Sequence, residues 1–214
     1  MQVNEPGHTA STAEAPKAAP PVRKRPKPGE RRVQILQALA AMLEQPGAER
    51  VTTAALAARL GVSEAALYRH FASKAQMFEG LIDFIEQSVF TLVNQITERE
   101  LPAREKSAQV VRVLIQFAEK NPGMTRVMVG DALVYENERL QQRMNLFFDK
   151  LEAALKQVLR DSAAAEGHAA PTADAQARAA ALTALAMGQL QRFARSGFRR
   201  APSEHLDASL ALLL

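Results

Sequence analysis

Apolar residues recur at steps of three and four along nearly the whole chain after residue 29, which is the spacing of one face of an α-helix. The first such stripe predicts a helix over residues 30–45, and Pro46-Gly47 follows it as a stop signal. The apolar positions of this helix are Val33, Leu36, Leu39, Ala40 and Leu43. The folded part of the chain is therefore expected to begin with an amphipathic helix.

The same spacing predicts five further helices after residue 72. They cover residues 74–100, 104–120, 124–135, 139–160 and 173–196. Ser73 and Thr172 are the expected N-caps of the first and the last of these helices. Residues 162–171 are small and polar, and they predict a mobile loop. With the two short helices described next, the pattern indicates eight or nine helices in all.

Residues 51–71 contain two helix starts separated by one glycine, the arrangement of a helix-turn-helix. Ala57 is the small residue that lets the two helices cross, and Gly61 tolerates the positive φ that the turn needs. The apolar face that the two helices share consists of Leu56, Leu60, Val62 and Leu67. The segment therefore meets the sequence requirements of this motif.

Both helices of this motif begin at a hydroxyl residue. Thr52 or Thr53 is expected to cap the first helix, and Ser63 the second. Helix starts present free backbone N–H groups, which suit phosphate oxygens.

Composition narrows the fold class and removes several kinds of chemistry. Alanine and leucine dominate the chain after residue 30 and only 5% of all residues are aromatic, which predicts an all-α protein. There is no cysteine, so disulfides, thiolate zinc sites and a cysteine nucleophile are excluded. The sequence shows no hydrophobic signal core and no apolar stretch of about 20 residues. A cytoplasmic location is expected.

Basic charge is concentrated near the N-terminus. The chain has a net charge of +4, and residues 1–32 alone hold seven basic and three acidic side chains. Residues 1–28 contain six of the eleven prolines and no aromatic residue, so they are expected to form a disordered arm. Such an arm is either a solvated tail or a flexible contact to phosphates. Its position beside the helix-turn-helix favours the second interpretation.

The second helix of the motif is expected to enter the major groove of double-stranded DNA. Arg69 suits guanine or phosphate, Ala65 or Ala66 suits a thymine methyl group, and Glu64 suits the amino group of cytosine. The candidate DNA-contacting residues are Thr52, Thr53, Ser63, Glu64, Ala65, Ala66, Tyr68, Arg69, His70 and Lys74. Spacing alone also fits a plain helix hairpin with Arg69 and Lys74 on a solvated face.

The amino-acid sequence of this segment resembles the signature of the TetR family of regulators. The matching positions are Thr52-Thr53, Leu56-Ala57, Leu60-Gly61-Val62-Ser63, Leu67-Tyr68, His70-Phe71 and Ser73-Lys74. The resemblance implies a TetR-like fold, with a three-helix DNA-binding head over residues 29–75. It also implies a helical regulatory and dimerisation body over residues 76–214.

The chain resembles the nucleoid occlusion branch of that family more closely than the family at large. The stretches that carry this resemblance are residues 62–71, 77–86, 119–126 and 139–147. It implies a homodimer that binds palindromic DNA sites on the nucleoid, with several dimers per site as a further expectation. While DNA-bound, such a protein antagonises assembly of the division GTPase FtsZ over the chromosome.

In that branch, a groove bordered by the fourth and fifth helices receives the C-terminal tail of FtsZ. The corresponding positions here are Phe84, Leu92, Val113, Gln116, Lys120 and Asn121. A basic residue is more usual at the position of Leu92. The residues alone support a different interpretation, in which Phe84 is a core aromatic and Lys120 and Asn121 are ordinary features of a helix end.

Two other functions fit parts of the sequence. A ligand-responsive TetR-type repressor needs a small-molecule pocket, but the body offers few interior polar groups, so a filled core is expected. An enzyme is disfavoured because the four histidines lack metal-ligand spacing, and Glu136 and Glu138 are interpreted as helix surface. No cofactor and no metal are expected. The aromatic residues of the body that would line a pocket are Phe117, Tyr135, Phe147, Phe148 and Phe193.

Two surfaces on the last long helices predict dimerisation. The first is an apolar seam made by Leu140, Met144, Phe147, Leu151, Leu155 and Val158. The second is a row of small residues made by Ala177, Ala181, Ala184, Gly188 and Ala194. Together they are expected to build a four-helix bundle across a two-fold axis. The two heads would then meet half-sites about 34–36 Å apart or a multiple of that distance.

Overall fold

The computed structural model describes residues 29–45, 51–165 and 170–214. The expected disordered arm, the stop signal at residues 46–47 and residues 166–169 of the expected loop lie outside these ranges. The helices of the described part are α1 (Glu30–Leu43), α2 (Thr53–Leu60), α3 (Glu64–Tyr68), α4 (Lys74–Thr97), α5 (Ala103–Lys120), α6 (Pro122–Met128), α7 (Glu138–Ala165), α8 (Pro171–Arg195) and α9 (Leu206–Leu213). A short 3-10 helix, Asp131–Leu133, precedes α7. The all-α prediction is confirmed.

Helices α1, α2 and α3 form a small head around one apolar core. The buried residues of this core include Ile35, Leu39, Leu43, Leu56, Ala57, Leu67 and Phe71. The guanidinium of Arg32 lies 4.1 Å from the centre of the Phe71 ring and donates a hydrogen bond to the carbonyl of His70. The start of α1 is therefore fixed to the end of the helix-turn-helix.

The other helices form the body, in which α4 and α5 are antiparallel neighbours, as are α7 and α8. Lys106 near the start of α5 donates to the carbonyl of Thr97 at the end of α4, at 3.0 Å. Arg139 at the start of α7 contacts Glu79 in the first half of α4 at 2.6 Å. The starts of α4 and α7 and the ends of α5 and α8 therefore lie on one side of the body. We call this side, which adjoins the head, the head end.

Ion pairs join α4 to the beginning of α7. The Arg143 guanidinium contacts Asp83 at 2.5 Å and Glu86 at 2.7 Å. Its hydrogen bond to Glu86, followed by that to Asp83, raises the pKa of Arg143 above its ordinary value, and partial burial opposes this shift. The pairs to Arg139 and Arg143 lie on one side of α4 and hold that helix against α7.

Three of the predicted boundaries are wrong. The helix expected over residues 124–135 stops at Met128, because Gly130 adopts φ 85° and breaks it before the 3-10 helix. The loop expected from residue 162 begins later, since α7 continues to Ala165. Thr172 does not cap α8, which begins with Pro171 at a position where proline needs no N–H partner. The N-cap role of Ser73 is confirmed by its acceptor bond from Gln76 N–H at 3.2 Å.

The apolar seam of α7 lies inside the protomer and not on its surface. Five of its six predicted members are buried against the other body helices: Leu140, Met144, Phe147, Leu151 and Leu155. The prediction that this seam faces a second copy is therefore wrong. A large apolar side chain that α7 does expose is Leu146.

The row of small residues on α8 is largely free of contacts within the protomer. Ala177, Ala184 and Gly188 are exposed, Ala181 is half-buried, and Met187 beside them is also exposed. A Cβ atom at Gly188 would meet nothing within 4 Å. Ala194, the last expected member, is buried in the protomer and does not belong to this surface. None of the described helices combines the length and apolar character that a membrane span requires.

Candidate functional site

The helix-turn-helix has the geometry that its sequence predicts. Gly61 ends α2 with φ 64° and ψ 39°, a left-handed conformation that glycine adopts without steric cost. Thr52, and not Thr53, caps α2, because its hydroxyl accepts from the N–H of Ala55 at 3.1 Å. The hydroxyl of Ser63 accepts from a backbone N–H in the first turn of α3 at 3.3 Å. These three local features fix the angle at which α3 follows α2.

One face of α3 is left open by the head. Leu67 points into the core, whereas the polar and small residues around it are accessible. Ser63, Glu64, Ala65, Tyr68 and Arg69 are exposed, and Ala66 and His70 are half-buried. The hydroxyl of Thr53 donates to the Glu64 carboxylate at 2.5 Å, which ties the starts of α2 and α3 together. This face presents hydroxyl, carboxylate, aromatic and guanidinium groups of the kinds that contact DNA bases and phosphates.

Lys74 has a partner that the sequence did not predict. Its ammonium group pairs with the carboxylate of Glu136, and the Glu136 side chain is only 10% exposed. The expectation that Glu136 belongs to the helix surface is therefore wrong. The ammonium of Lys74 is engaged with the body, while the N-terminus of α4, capped by Ser73, stays beside the head. Lys74 therefore links the end of the head to the segment before α7.

A groove runs between α4 and α5 and brings together most of the predicted partner positions. Phe84 is 47% exposed, so the interpretation of this residue as a core aromatic is wrong. Its ring lies 6.3 Å from that of Phe117 across the groove. Further along, Leu92, Val113 and Gln116 line one open cavity of about 230 Å³. Two exposed apolar side chains and a cavity on one surface are what a docking peptide needs.

Lys120 and Asn121 lie at the head end of the same helix pair. Lys120 is exposed in the last turn of α5. Asn121 follows it, and its side-chain amide donates to the carbonyl of Phe117 at 2.7 Å, so this side chain helps to end α5. Neither residue borders the 230 Å³ cavity, which lies at the other end of the groove.

Sequence reasoning missed two arginines of this cavity. Arg99, just beyond the end of α4, and Arg112, one turn before Gln116, both line it. Arg112 also pairs with Asp207 of α9 at 2.8 Å. Arg99 and Arg112 thus place basic groups close to Leu92, at whose position a basic residue is more usual. The place of Arg112 in the groove could have been predicted from helical spacing, since it lies on the face of α5 that carries Val113 and Gln116.

Three of the five aromatic residues expected to line an effector pocket are packed into the core of the body. Phe147, Phe148 and Phe193 are buried in close contact with their neighbours, and Tyr135 is 67% exposed and lines no interior. Two cavities larger than that of the groove open to the surface at the end of the body opposite the head end, with volumes of about 450 and 370 Å³. Within the three described ranges, no three His, Asp or Glu residues lie close enough to bind a metal ion together.

Two family models match the chain. Residues 35–81 match the model for bacterial regulatory proteins of the tetR family. Residues 104–214 match the SlmA-like model of the tetracyclin repressor-like C-terminal domain. The first match contains the helix-turn-helix, and the second begins in α5 and runs to the last residue.

Curated relatives are similar over most of their length. The nucleoid occlusion factor SlmA of Aliivibrio fischeri is 50% identical over 189 residues, which is 88% of this chain and 96% of that protein. SlmA of Vibrio vulnificus is 49% identical over 188 residues, covering 87% and 95% of the two chains. SlmA of Vibrio cholerae is 50% identical over 184 residues, covering 86% and 93%.

Solved structures share the fold at low identity. The regulator FadR of Bacillus subtilis, solved with stearoyl-CoA, gives a TM-score of 0.67 at 16% identity and covers 85% of this chain and 96% of its own. The TetR-family regulator PfmR of Thermus thermophilus gives 0.66 at 21% identity, covering 85% and 97%. At such low sequence identities these structures support only the fold. From the matches to the family models and to the curated relatives, the chain belongs to the TetR family of regulators, which are not enzymes, and within it to the nucleoid occlusion factors of the SlmA type.

Proposed function

We propose that the chain acts as a homodimer that binds palindromic DNA on the nucleoid and, when bound, inhibits FtsZ assembly over the chromosome. The head over residues 29–75 contacts DNA, and the body over residues 76–214 dimerises and binds the C-terminal tail of FtsZ. The exposure of Phe84 in a groove beside α5 supports this proposal most directly. The exposed Phe84 ring lies beside Phe117 and on the same helix as the exposed Leu92, and together they form an apolar surface that a bound peptide would remove from water.

DNA recognition in this proposal belongs to the open face of α3. Arg69 contacts guanine or phosphate, and the small Ala65 lets the helix approach the bases closely. The capped starts of α2, α3 and α4 direct backbone N–H groups towards phosphates. In that arrangement Lys74 contributes through the position of α4, because its ammonium group is paired with Glu136.

Helix α4 connects the two functions. It begins at Lys74 next to the head and continues for 24 residues, which is about 36 Å of helix. Its α7 side carries Asp83 and Glu86, held by Arg143, and another side carries Phe84 and Leu92. A displacement of the head on DNA can therefore reach the groove through one rigid element. This continuity supports inhibition of FtsZ that depends on bound DNA.

The groove assignment predicts that Phe84→Ala weakens binding of an FtsZ C-terminal tail peptide by about 30-fold or more. Buried aromatic anchors are typical interface hot spots, at about 2 kcal/mol or more each. Lys120→Glu is expected to weaken binding as well, since it reverses the charge at the head end of the groove. The measurement is fluorescence anisotropy of the labelled peptide, with and without the protein's DNA site.

Two matched variants separate the groove from general effects. Leu146→Ala removes an exposed apolar side chain from α7, and Lys156→Glu reverses a charge on the same helix. Both are expected to bind the peptide like the unmodified chain. Absence of peptide binding by the unmodified protein, with its DNA binding intact, would instead favour an ordinary repressor without an FtsZ site.

A further inference from the structure

A cluster of arginines occupies the end of α8 and the turn that follows it. Residues 191–205 contain four arginines and one glutamate. We name Arg192, Arg195, Arg199 and Arg200 the α8-end cluster, and all four are exposed. Arg200 pairs with Glu204 at 3.2 Å. In the part of the chain that the structure describes, no carboxylate pairs with the other three.

This local excess of charge stands out from the rest of the folded chain. Residues 1–28 hold five basic and two acidic side chains, so residues 29–214 carry only +1 of the net +4. Residues 191–205 alone carry +3. Arginines in the last turn of a helix stabilise its negative end, which accounts for Arg192 and Arg195. Arg199 and Arg200 lie beyond the helix, where Arg199 donates through Nε to the carbonyl of Ser196 at 2.9 Å and Arg200 pairs with Glu204, yet both guanidinium groups stay exposed.

The turn that presents Arg199 and Arg200 is held in one conformation. Gly197 and Phe198 both have φ 63°, which is unfavourable for phenylalanine. The Phe198 ring contacts that of Phe193 at 5.1 Å and the guanidinium of Arg126 at 5.1 Å. The hydroxyl of Ser196 accepts from the N–H groups of Arg199 at 3.1 Å and Arg200 at 2.9 Å. Such strain persists only where its surroundings maintain it, and it recurs at functional sites.

The α8-end cluster lies at the head end of the body. Helix α6 carries Arg126 and packs against α1, and a Cβ atom at Gly123 in α6 would meet the carbonyl of Ala40. The cluster is thus one helix away from the head. It also continues from the exposed small-residue row of α8, the surface expected to adjoin a second copy. A two-fold axis along that row would bring two clusters together, and their mutual repulsion favours a polyanion between them.

We propose that the α8-end clusters of the two protomers contact the phosphates of the DNA between its two half-sites. This proposal rests on the proposed function, because it needs a dimer on a palindromic duplex. The planar guanidinium is the side chain that binds phosphate most directionally. The cluster lies at the head end of the body, one helix away from α1 of the DNA-binding head, which favours duplex DNA over an acidic protein segment as the occupant. These contacts add affinity without reading sequence.

The test is the salt dependence of DNA binding by Arg195→Ala/Arg199→Ala. The duplex is one that the unmodified chain selects from random sequence, and binding is measured by anisotropy over a range of KCl concentrations. Each lost phosphate contact makes the slope of log K against log[salt] shallower by about 0.9, so four lost contacts per dimer give about 3.6. The footprint is expected to stay the same. Arg195→Lys/Arg199→Lys, which keeps the charge, is expected to restore most of the slope.

The control is Arg104→Ala/Lys156→Ala, which removes two basic groups at the far end of the body. Its slope is expected to match that of the unmodified chain. Equal slopes for the two double variants would overturn the proposal. A slope equal to that of the unmodified chain, together with weaker binding of a labelled polyglutamate peptide, would overturn it as well and would assign the cluster to an acidic protein partner. An unmodified chain that selects no duplex would contradict the proposed DNA binding itself, and the cluster proposal would fall with it.

Discussion

Replacing Gly123 by alanine is expected to lower the free energy of unfolding by about 3 kcal/mol or more. A Cβ atom at this position would lie 2.0 Å from the carbonyl oxygen of Ala40 and 2.9 Å from its carbonyl carbon. Both are backbone atoms of α1, so no side-chain rotation relieves the overlap, and α1 or α6 must move. Overpacking of this kind costs about 1–3 kcal/mol and more where the neighbour is rigid.

Thermal unfolding followed by circular dichroism measures this effect. For a chain of this size, a loss of about 3 kcal/mol corresponds to a melting temperature lower by about 6–12 °C. DNA affinity is expected to fall too, because α1 belongs to the head and α6 to the body. Displacing their contact changes the angle between the two parts of the molecule.

Gly80→Ala is the matched control, since this glycine also faces α1. Its Cβ atom would meet only the two terminal methyl groups of Leu36, at 3.1 Å, and the edge of the Phe71 ring at 3.5 Å. These side chains can rotate slightly, and alanine gains about 0.5–1 kcal/mol over glycine within a helix. The net change is expected to stay within about 1 kcal/mol. Equal destabilisation by the two substitutions would contradict a special backbone contact at Gly123.

The features that the sequence predicted well are those encoded by residues three or four positions apart. Ser63 and Ser73 each cap a helix through an N–H three residues ahead. Gly61 terminates α2 because a single residue type satisfies the left-handed turn. The helix-turn-helix was predictable for this reason, down to the residue that ends its first helix. Proline in the first turn of a helix is another local signal of this kind, and it marks Pro171, not the predicted N-cap Thr172, as the start of α8.

The features that the sequence missed depend on residues far apart in the chain. Lys74 meets Glu136 across 62 positions, and no spacing rule connects them. The exposure of Phe84 could not be read from its helical stripe, because burial depends on which helix lies opposite. The seam of α7 was correctly recognised as apolar, but its partner is the rest of the same protomer. Periodicity identifies a face, whereas only the tertiary structure identifies what covers it.

Replacing Gly188 by glutamine is expected to convert the dimer to monomer and to weaken binding to the proposed palindromic duplex by about 100-fold or more. The position is open within the protomer, with nothing within 4 Å of an added Cβ, so the folded monomer accommodates the side chain. Glutamine is a better helix former than glycine, so the substitution does not destabilise α8, and it is uncharged, so the net charge stays the same. Only a second copy approaching the small-residue row of α8 would meet the new side chain.

The expected loss in DNA binding follows from two heads acting together. Two linked heads on one palindrome bind about 10²–10⁴ times more tightly than a single head, and a monomer forfeits this gain. Light scattering at micromolar concentration gives the mass, and anisotropy gives the affinity. Ala208→Gln introduces the same side chain at an exposed position of α9 and is expected to change neither. A Gly188→Gln protein that remains dimeric would show that the copies meet elsewhere. The α8-end clusters would then lie apart from the two-fold axis. The mass of the Gly188→Gln protein and the salt dependence of the Arg195→Ala/Arg199→Ala protein together therefore constrain which surface of the body faces DNA.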